Sequence, residues 1–457
     1  MFSHSNRRTF LKNTAAASAA TIGFGSTLRY GLAQDPTPEP TVAPVSVGEG
    51  GTEISIWVQD FGPIVTAYQE AAANYVAAGN DVKVTVQPIA FADLLAKVLP
   101  SVAAGNEADI IMGYTDWYVA TDISRLFLNL DGLLGTQAEL EETLFPTTLA
   151  TLDMPEGSIY YLPLLAGARS AVTTYNGAMF QQAGIDATSL ATWENLVEAG
   201  RELTVMEGGR MTVAGLSPVS AALSLVKNWV WQTGGEFYNG ETGEWTLATA
   251  EGEASLARLI DLGSGDNPTY SYDLLSVDNE FDVWNQGKVA SHMNGAWTIG
   301  VSEEAVEANG IPTPLLAEAT NEVVYPEHIA VTTLSRRLAD DDTKLQHCVG
   351  IVQELYKPES LIDTTNQYSG LLCSKALYAD PKIEDTAFGP VSKLLAESVW
   401  PRAHFPRDHV ANQAPAGVEL DRAMRGEISI QEALSNADAY LNDQEQQARE
   451  RIGHVNR

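Results

Sequence analysis

Cysteine is nearly absent: Cys348 and Cys373 are the two in 457 residues. A fold built on disulfides is excluded, and two cysteines without spaced histidines make no structural zinc site. A single bridge between them stays open, because sequence does not give their separation in space. Basic residues are also scarce: 27 Lys and Arg stand against 59 Asp and Glu, a formal charge of −32. Such a surface repels nucleic acid and anionic lipid, so neither is expected as a partner. No stretch approaches about 18 consecutive apolar residues, so no membrane-spanning helix is expected. A Gly-rich phosphate loop, a His-x-x-x-His pair and a Gly-x-Ser-x-Gly elbow are all missing. Neither a cofactor nor a metal is expected. Acids are too plentiful for sequence to exclude a glycosidase with paired carboxylates.

What is present begins at the N-terminus. Asn6-Arg7-Arg8-Thr9-Phe10-Leu11-Lys12 precedes a stretch, 13–32, without an acidic residue, and Gly31-Leu32-Ala33 offers a small-x-small cleavage site. This is the layout of a twin-arginine export signal over 1–33. Asn13, Thr14, Ser18, Thr21 and Ser26 interrupt its apolar run, which argues against a membrane anchor. No cysteine stands at the cleavage site to accept a lipid. The chain is therefore expected to pass the twin-arginine translocase and to work outside the cytoplasm, in the periplasm or beyond it. Residues 34–51 are rich in Pro and Thr and read as an extended, solvated tether.

Beyond the tether, Glu53 to Val58 alternates and predicts a strand. Pro63 to Ala78 has helical spacing, 81–89 alternates again, and Ala92 to Ala104 is amphipathic. Ala108 to Gly113 is short and uniformly apolar, as a buried parallel strand should be. This β-α-β-α-β order predicts an α/β fold with a doubly wound sheet. Ligands of such sheets sit beyond the carboxyl ends of the strands. Those ends hold Gln59-Asp60-Phe61, Phe91 and Tyr114-Thr115-Asp116-Trp117-Tyr118, which place acids beside aromatic rings. Asp60 also has the position of a helix N-cap for Pro63 to Ala78. Trp57 alternates with Ile54 and Ile56 and reads as core. His292 and His404 are isolated histidines with the look of core or surface residues.

Several segments, in order, resemble the extracellular solute-binding proteins of ABC importers, family 1, the group typified by maltose-binding protein. They are Ile54 to Asp60, Gly105-Asn106-Glu107-Ala108-Asp109-Ile110-Ile111, Tyr160 to Asn176 and Trp231-Gln232-Thr233-Gly234-Gly235. Gly287-Lys288-Val289-Ala290, Asn294-Gly295-Ala296-Trp297 and Gly426 to Leu434 complete the series. Ala108 replaces the proline usual in the second segment, and the loop after the first strand is shorter than in maltose binders. The resemblance implies a two-lobed periplasmic binding protein fold with two doubly wound sheets and three hinge crossings. Carried over, lobe one is 52–164 plus 328–366 and lobe two 165–325 plus 372–445. The crossings then lie near Leu164-Leu165, Tyr325-Pro326 and Gln367-Tyr368. It further implies a monomer that is not an enzyme, closes on a small-molecule ligand and presents it to permease subunits in the membrane.

A sugar needs charged or amide partners for its hydroxyls and rings for its C–H faces. The candidates are Asp60, Phe61, Tyr114, Asp116, Trp117, Trp231, Trp297, Tyr368 and Arg402. On the resemblance, Asp116 falls on the family's ligand-binding acid and Trp297 on its stacking tryptophan. An alternative within the same fold is a polyamine held by Asp60, Asp116 and Glu236 with cation–π contacts.

Overall fold

The computed structural model describes residues 43–452, apart from 119–122, 153–156, 278, 303–305, 322–326, 386–388, 400–407 and 411. The first strands are β1 (Val45–Val47), β2 (Thr52–Gln59), β3 (Val82–Ile89) and β4 (Ile110–Tyr114). Then come β5 (Leu162–Arg169), β6 (Val172–Asn176), β7 (Val205–Glu207), β8 (Arg210–Val213), β9 (Tyr238–Asn239) and β10 (Glu244–Trp245). The last are β11 (Ser291–His292), β12 (Ala308–Pro312), β13 (Glu327–Leu334) and β14 (Leu371–Leu372).

A seven-stranded sheet has the order β1-β3-β2-β4-β13-β5-β14. Its centre, β3-β2-β4, is parallel, as the β-α-β-α-β reading requires. β13 returns from far along the chain and enters antiparallel between β4 and β5. The sheet is therefore mixed. β3 buries every second residue and β4 buries all five, the patterns of a strand with one wet face and of one covered on both. The second sheet is small and antiparallel, β11-β6-β12. Isolated parallel bridges, Ala214 to Val289 and Ser217 to His292, extend it.

Three sequence expectations need correction. The tether reading of 34–51 fails at its end, where Val45–Val47 pairs antiparallel with β3 and covers that edge. Asp60 is not a helix cap: the helix Gly62–Ala77 starts from Phe61 with no capping side chain, and Asp60 stands exposed. The chain does not leave the first sheet at Leu164-Leu165, because Leu165 still pairs with Ala330 and Leu372. It changes sheet just beyond, where Ala168 and Ser170 adopt φ of 51° and 58°. Tyr325-Pro326 lies outside the described residues.

The buried apolar side chains of the described residues form two large cores and a small third one, and the second sheet is shared among them: Val172 of β6 packs in the first and Ile311 of β12 in the third. The first gathers β2–β5, β13 and β14 with Tyr68, Tyr118, Tyr161 and Phe127, and it extends to Cys373, Ile383 and Leu395. The second is built around Trp193, Trp229, Trp245, Trp284 and Tyr270. Trp57 is core, as its alternation predicts, with the Lys97 ammonium 4.0 Å from its ring centre. Cys348 and Cys373 are both buried and unbridged, and burial pushes both thiols up, out of the reactive range.

Two buried carboxylates hold the first core together. Asp109 accepts from the Ser55 amide and hydroxyl, both at 2.8 Å, and from Lys344 Nζ at 3.0 Å. Glu107 accepts from Arg337 Nε at 2.9 Å and from the Ser335 hydroxyl. These bonds join β2, the entry to β4, the exit of β13 and the helix Asp342–Leu355. The Asp109 segment that resembles the family's strand entry is thus a structural clamp. The long C-terminal helix Ile430–Ile452 is anchored by Glu445, which is 1% exposed. His409 and Arg449 both bond to its Oε1, at 2.9 and 2.7 Å, and Tyr238 donates to the same oxygen at 2.9 Å.

Two predictions follow from these clamps. Asp109→Ala removes the acceptor of the Ser55 amide and hydroxyl and of the partly exposed Lys344 ammonium and should cost about 1–3 kcal/mol, read from urea unfolding. An unchanged midpoint would remove the clamp from the account. Burial alone would raise the Glu445 carboxyl, but bonds from His409 and Arg449 outweigh it and hold it at about 2, against an ordinary 4.5. A depressed carboxyl stabilises above its unfolded value and loses that contribution as pH falls toward the folded one. Stability should therefore drop by about 3 kcal/mol between pH 4.5 and 2 on this group's account, and Glu445→Gln should flatten that part of the profile.

Candidate ligand site at the strand ends

The carboxyl ends of β2, β3 and β4 converge on a group of rings. Tyr114 closes β4, Trp117 follows on the one-turn helix Thr115–Tyr118, and Phe91 opens the helix Phe91–Ala104 after β3. Their centroids lie 5.0 Å apart for Tyr114 and Trp117, 5.1 Å for Phe91 and Trp117, and 5.7 Å for Phe91 and Tyr114, all edge to face. The arrangement suits the ring quadrupoles and fixes each ring's tilt. Tyr114 and Trp117 are buried, while Phe91 is 46% exposed and forms the open side of the group.

Polar atoms are set into this apolar frame. The Tyr114 hydroxyl donates to Gln59 Oε1 at the end of β2. Burial pushes the Tyr114 phenol well up, and the neighbouring Tyr368 hydroxyl and the Asp116 carboxylate push it further. Tyr114 is therefore a neutral hydroxyl at every physiological pH. Asp116 is half-buried beside it. Tyr368 is buried and meets Phe61 edge-on at 5.2 Å, with 81° between the rings. Asp60, next to Phe61, keeps its carboxylate in solvent.

Trp297 joins from the other half of the chain. It opens the one-turn helix Trp297–Gly300, is half-buried, and packs against the first core although it follows β11 of the second sheet. Two close approaches place it. The Ala296 amide donates to the Gly167 carbonyl at 2.9 Å, beside the turn where the chain changes sheet. At Gly300 a Cβ would lie 2.6 Å from the Gln367 carbonyl, so this helix docks against the end of the Tyr368 helix, Pro358–Tyr368. Gly295 has φ +135°, and a Cβ there would meet the Trp297 ring at 2.0 Å.

The structure thus brings Phe61, Tyr114, Asp116, Trp117 and Tyr368 into one neighbourhood, with Asp60 at its rim and the Trp297 helix docked against it. Trp231 is half-buried on the second core, with its carbonyl accepting from Asn321 at 2.9 Å. Arg402 lies outside the described residues. Gln59 and Phe91 belong to the group as well; their place at strand ends was visible in the sequence, but their contacts depend on how the strands align. Two cavities, of about 510 and 430 Å³, lie elsewhere: one is lined by Gly243, Glu445 and Arg449, the other by Leu140, Leu162 and Leu372. Gly295→Ala should displace the Trp297 ring, cost about 1–3 kcal/mol and shift tryptophan emission. Wild-type emission and stability in this variant would contradict the packing described.

The comparisons agree with this architecture. The family model described as bacterial extracellular solute-binding protein matches residues 59–333. The arabinooligosaccharide-binding protein of Halalkalibacterium halodurans is 25% identical over 267 residues, and the match spans about half of each chain, 55% of both. Among solved structures, the GacH receptor of Streptomyces glaucescens, determined unliganded and with acarbose, superposes with a TM-score of 0.70 at 16% identity. It covers 87% of this chain and 99% of its own. The substrate-binding protein Lmo0181 of Listeria monocytogenes, determined with cycloalternan, gives 0.70 at 19% identity over 86% of this chain and 98% of its own. At that identity the likeness establishes the two-lobed α/β fold. With a family model matched over more than half its length, the chain belongs to the bacterial extracellular solute-binding proteins.

Proposed function

We propose that this protein is the exported receptor of an ABC importer and that it binds a carbohydrate, an oligosaccharide by preference, between its two lobes. One observation carries the reading: a fixed set of rings with neutral hydroxyls, an amide and a carboxylate stands where the parallel strands end. Phe91 and Trp297 offer faces for the C–H surface of a sugar, and the buried Trp117 sets the tilt of Phe91 from behind. Tyr114, Gln59, Asp116 and Asp60 offer partners for its hydroxyls. The solved neighbours hold acarbose and cycloalternan, and the curated relative is named for arabinooligosaccharides, which supports the same class of ligand.

In this reading the lobes follow the two cores and close about the passage at Ala168–Ser170. Ligand that touches both lobes favours the closed form by the difference in its affinity for the two states. Permease subunits would recognise that form. Chemistry on the ligand has no part in this cycle. Delivery by the twin-arginine route and residence outside the cytoplasm complete the proposal.

Isothermal titration of the chain from Gln34 onward tests it, with maltotriose, maltotetraose, arabinotriose and spermidine as probes. One of the sugars should bind, remain unhydrolysed after hours, and lose roughly 30-fold in affinity in Trp297→Ala, about 2 kcal/mol. Binding of spermidine alone would replace the sugar by a cation, and hydrolysis of a bound sugar would make the protein an enzyme.

A further inference from the structure

The Gln59 side chain closes β2 with one end of its amide held and the other open. β2 and β4 run parallel, with Ile56 opposite Ile110 and Trp57 opposite Ile111, and this register carries Gln59 to the level at which β4 ends in Tyr114. The Tyr114 hydroxyl donates to Gln59 Oε1. Gln59 is half-buried, and among the described residues that is the one bond its side chain makes. Its Nε2 group, with two hydrogens to donate, is left for a ligand.

A free amide turns over about its last torsion and presents either its oxygen or its nitrogen. Tyr114 removes that freedom. It is 4% exposed, and Phe91 and Trp117 hold its ring edge to face. Its hydroxyl lies beside that of Tyr368, and burial keeps the proton on it, so it stays a donor. A phenol is a better donor than acceptor, because its ring draws on the oxygen lone pair. A phenol fixed at this place therefore selects the amide oxygen and turns Nε2 the other way.

The other polar groups of the neighbourhood are of the opposite kind. Asp60 and Asp116 accept when ionised and have nothing to donate. A ligand thus meets a fixed pair of donors near carboxylate acceptors. A hydroxyl answers both, since it accepts with its lone pairs and donates its proton. An ammonium has donors and no acceptor, so against Gln59 Nε2 it sets hydrogen on hydrogen. A site built for one kind of partner discriminates against the ligand that lacks it, because a polar group is then left unpaired. The carboxylates alone would admit a polyamine; the held amide disfavours it.

We propose that Tyr114 is a positioning residue and Gln59 a specificity-determining one: the Tyr114 hydroxyl locks the Gln59 amide with Nε2 toward the ligand, and the locked amide selects a hydroxylated ligand over a polyamine. The inference rests on the carbohydrate reading of this site and deepens it.

Two experiments on the full chain separate the lock from the ligand. Neutron diffraction from the ligand-free protein, exchanged into heavy water, should place the Tyr114 deuteron toward Gln59 Oε1 and both Nε2 deuterons away from Tyr114. The second is a double-mutant cycle, read as the Kd for maltotriose or arabinotriose, whichever binds the tighter, and for spermidine. Tyr114→Phe keeps the ring and removes the donor, and it should weaken the sugar roughly tenfold. Gln59→Ala should weaken it by a similar factor, and the double variant no further, as expected of a residue that acts through another. A tyrosine that merely braced the fold would add its cost to that of Gln59→Ala. Spermidine should bind far more weakly than the sugar in the wild type, and the gap should narrow in Tyr114→Phe, where the amide is free to turn its oxygen outward. Nε2 found against Tyr114, a harmless Tyr114→Phe, additive costs, or equal losses for sugar and spermidine would each overturn the proposal. An amide locked as described in a protein that binds no sugar keeps the lock and rejects the sugar reading alone.

Discussion

The Asp109 carboxylate is the interaction on which the rest depends. It accepts two hydrogen bonds from Ser55 of β2 and two from the Lys344 ammonium, and its backbone carbonyl accepts from the Ser335 amide at the exit of β13. One acid thereby fixes the relative positions of three neighbouring strands at their end remote from the rings. Side chains alternate along a strand, so a slip of one residue would turn every ring at the other end away from its neighbours. The geometry of Tyr114 against Gln59, or of Trp117 against Phe91, inherits its precision from that remote clamp.

A second dependence runs through the backbone. Trp297 belongs by sequence to the second sheet and by packing to the first core. It is held there by contacts that tolerate no side chain at Gly295 and Gly300, and by a bond to Gly167 beside two residues of positive φ, Ala168 and Ser170. Strain of that kind persists where surrounding structure over-determines it, and it often marks functional ground. The site is thus composed across the chain: rings from residues 61 to 118, a tyrosine at 368, and a tryptophan tied to the turn between sheets.

The sequence carried much of this. The alternation of β2 and β3, the apolar run of β4 and the rule that ligands lie at carboxyl strand ends placed Tyr114, Asp116 and Trp117 where the rings converge. Other parts were hidden for physical reasons. That β13 enters antiparallel depends on a pairing more than 200 residues apart, which no local pattern records. Val45–Val47 joins the sheet because β3 leaves an edge to cover, although its own composition favours an extended chain in solvent.

The proposed carbohydrate site draws on both halves of the chain, with Phe91 and Tyr114 from one and Trp297 from the other. Hydrogen–deuterium exchange with and without saturating sugar tests it most directly. Protection should appear together at 59–61, 91–94, 114–118, 295–300 and 366–370. Protection confined to a single core, or centred on the cavity beside Arg449, would contradict it.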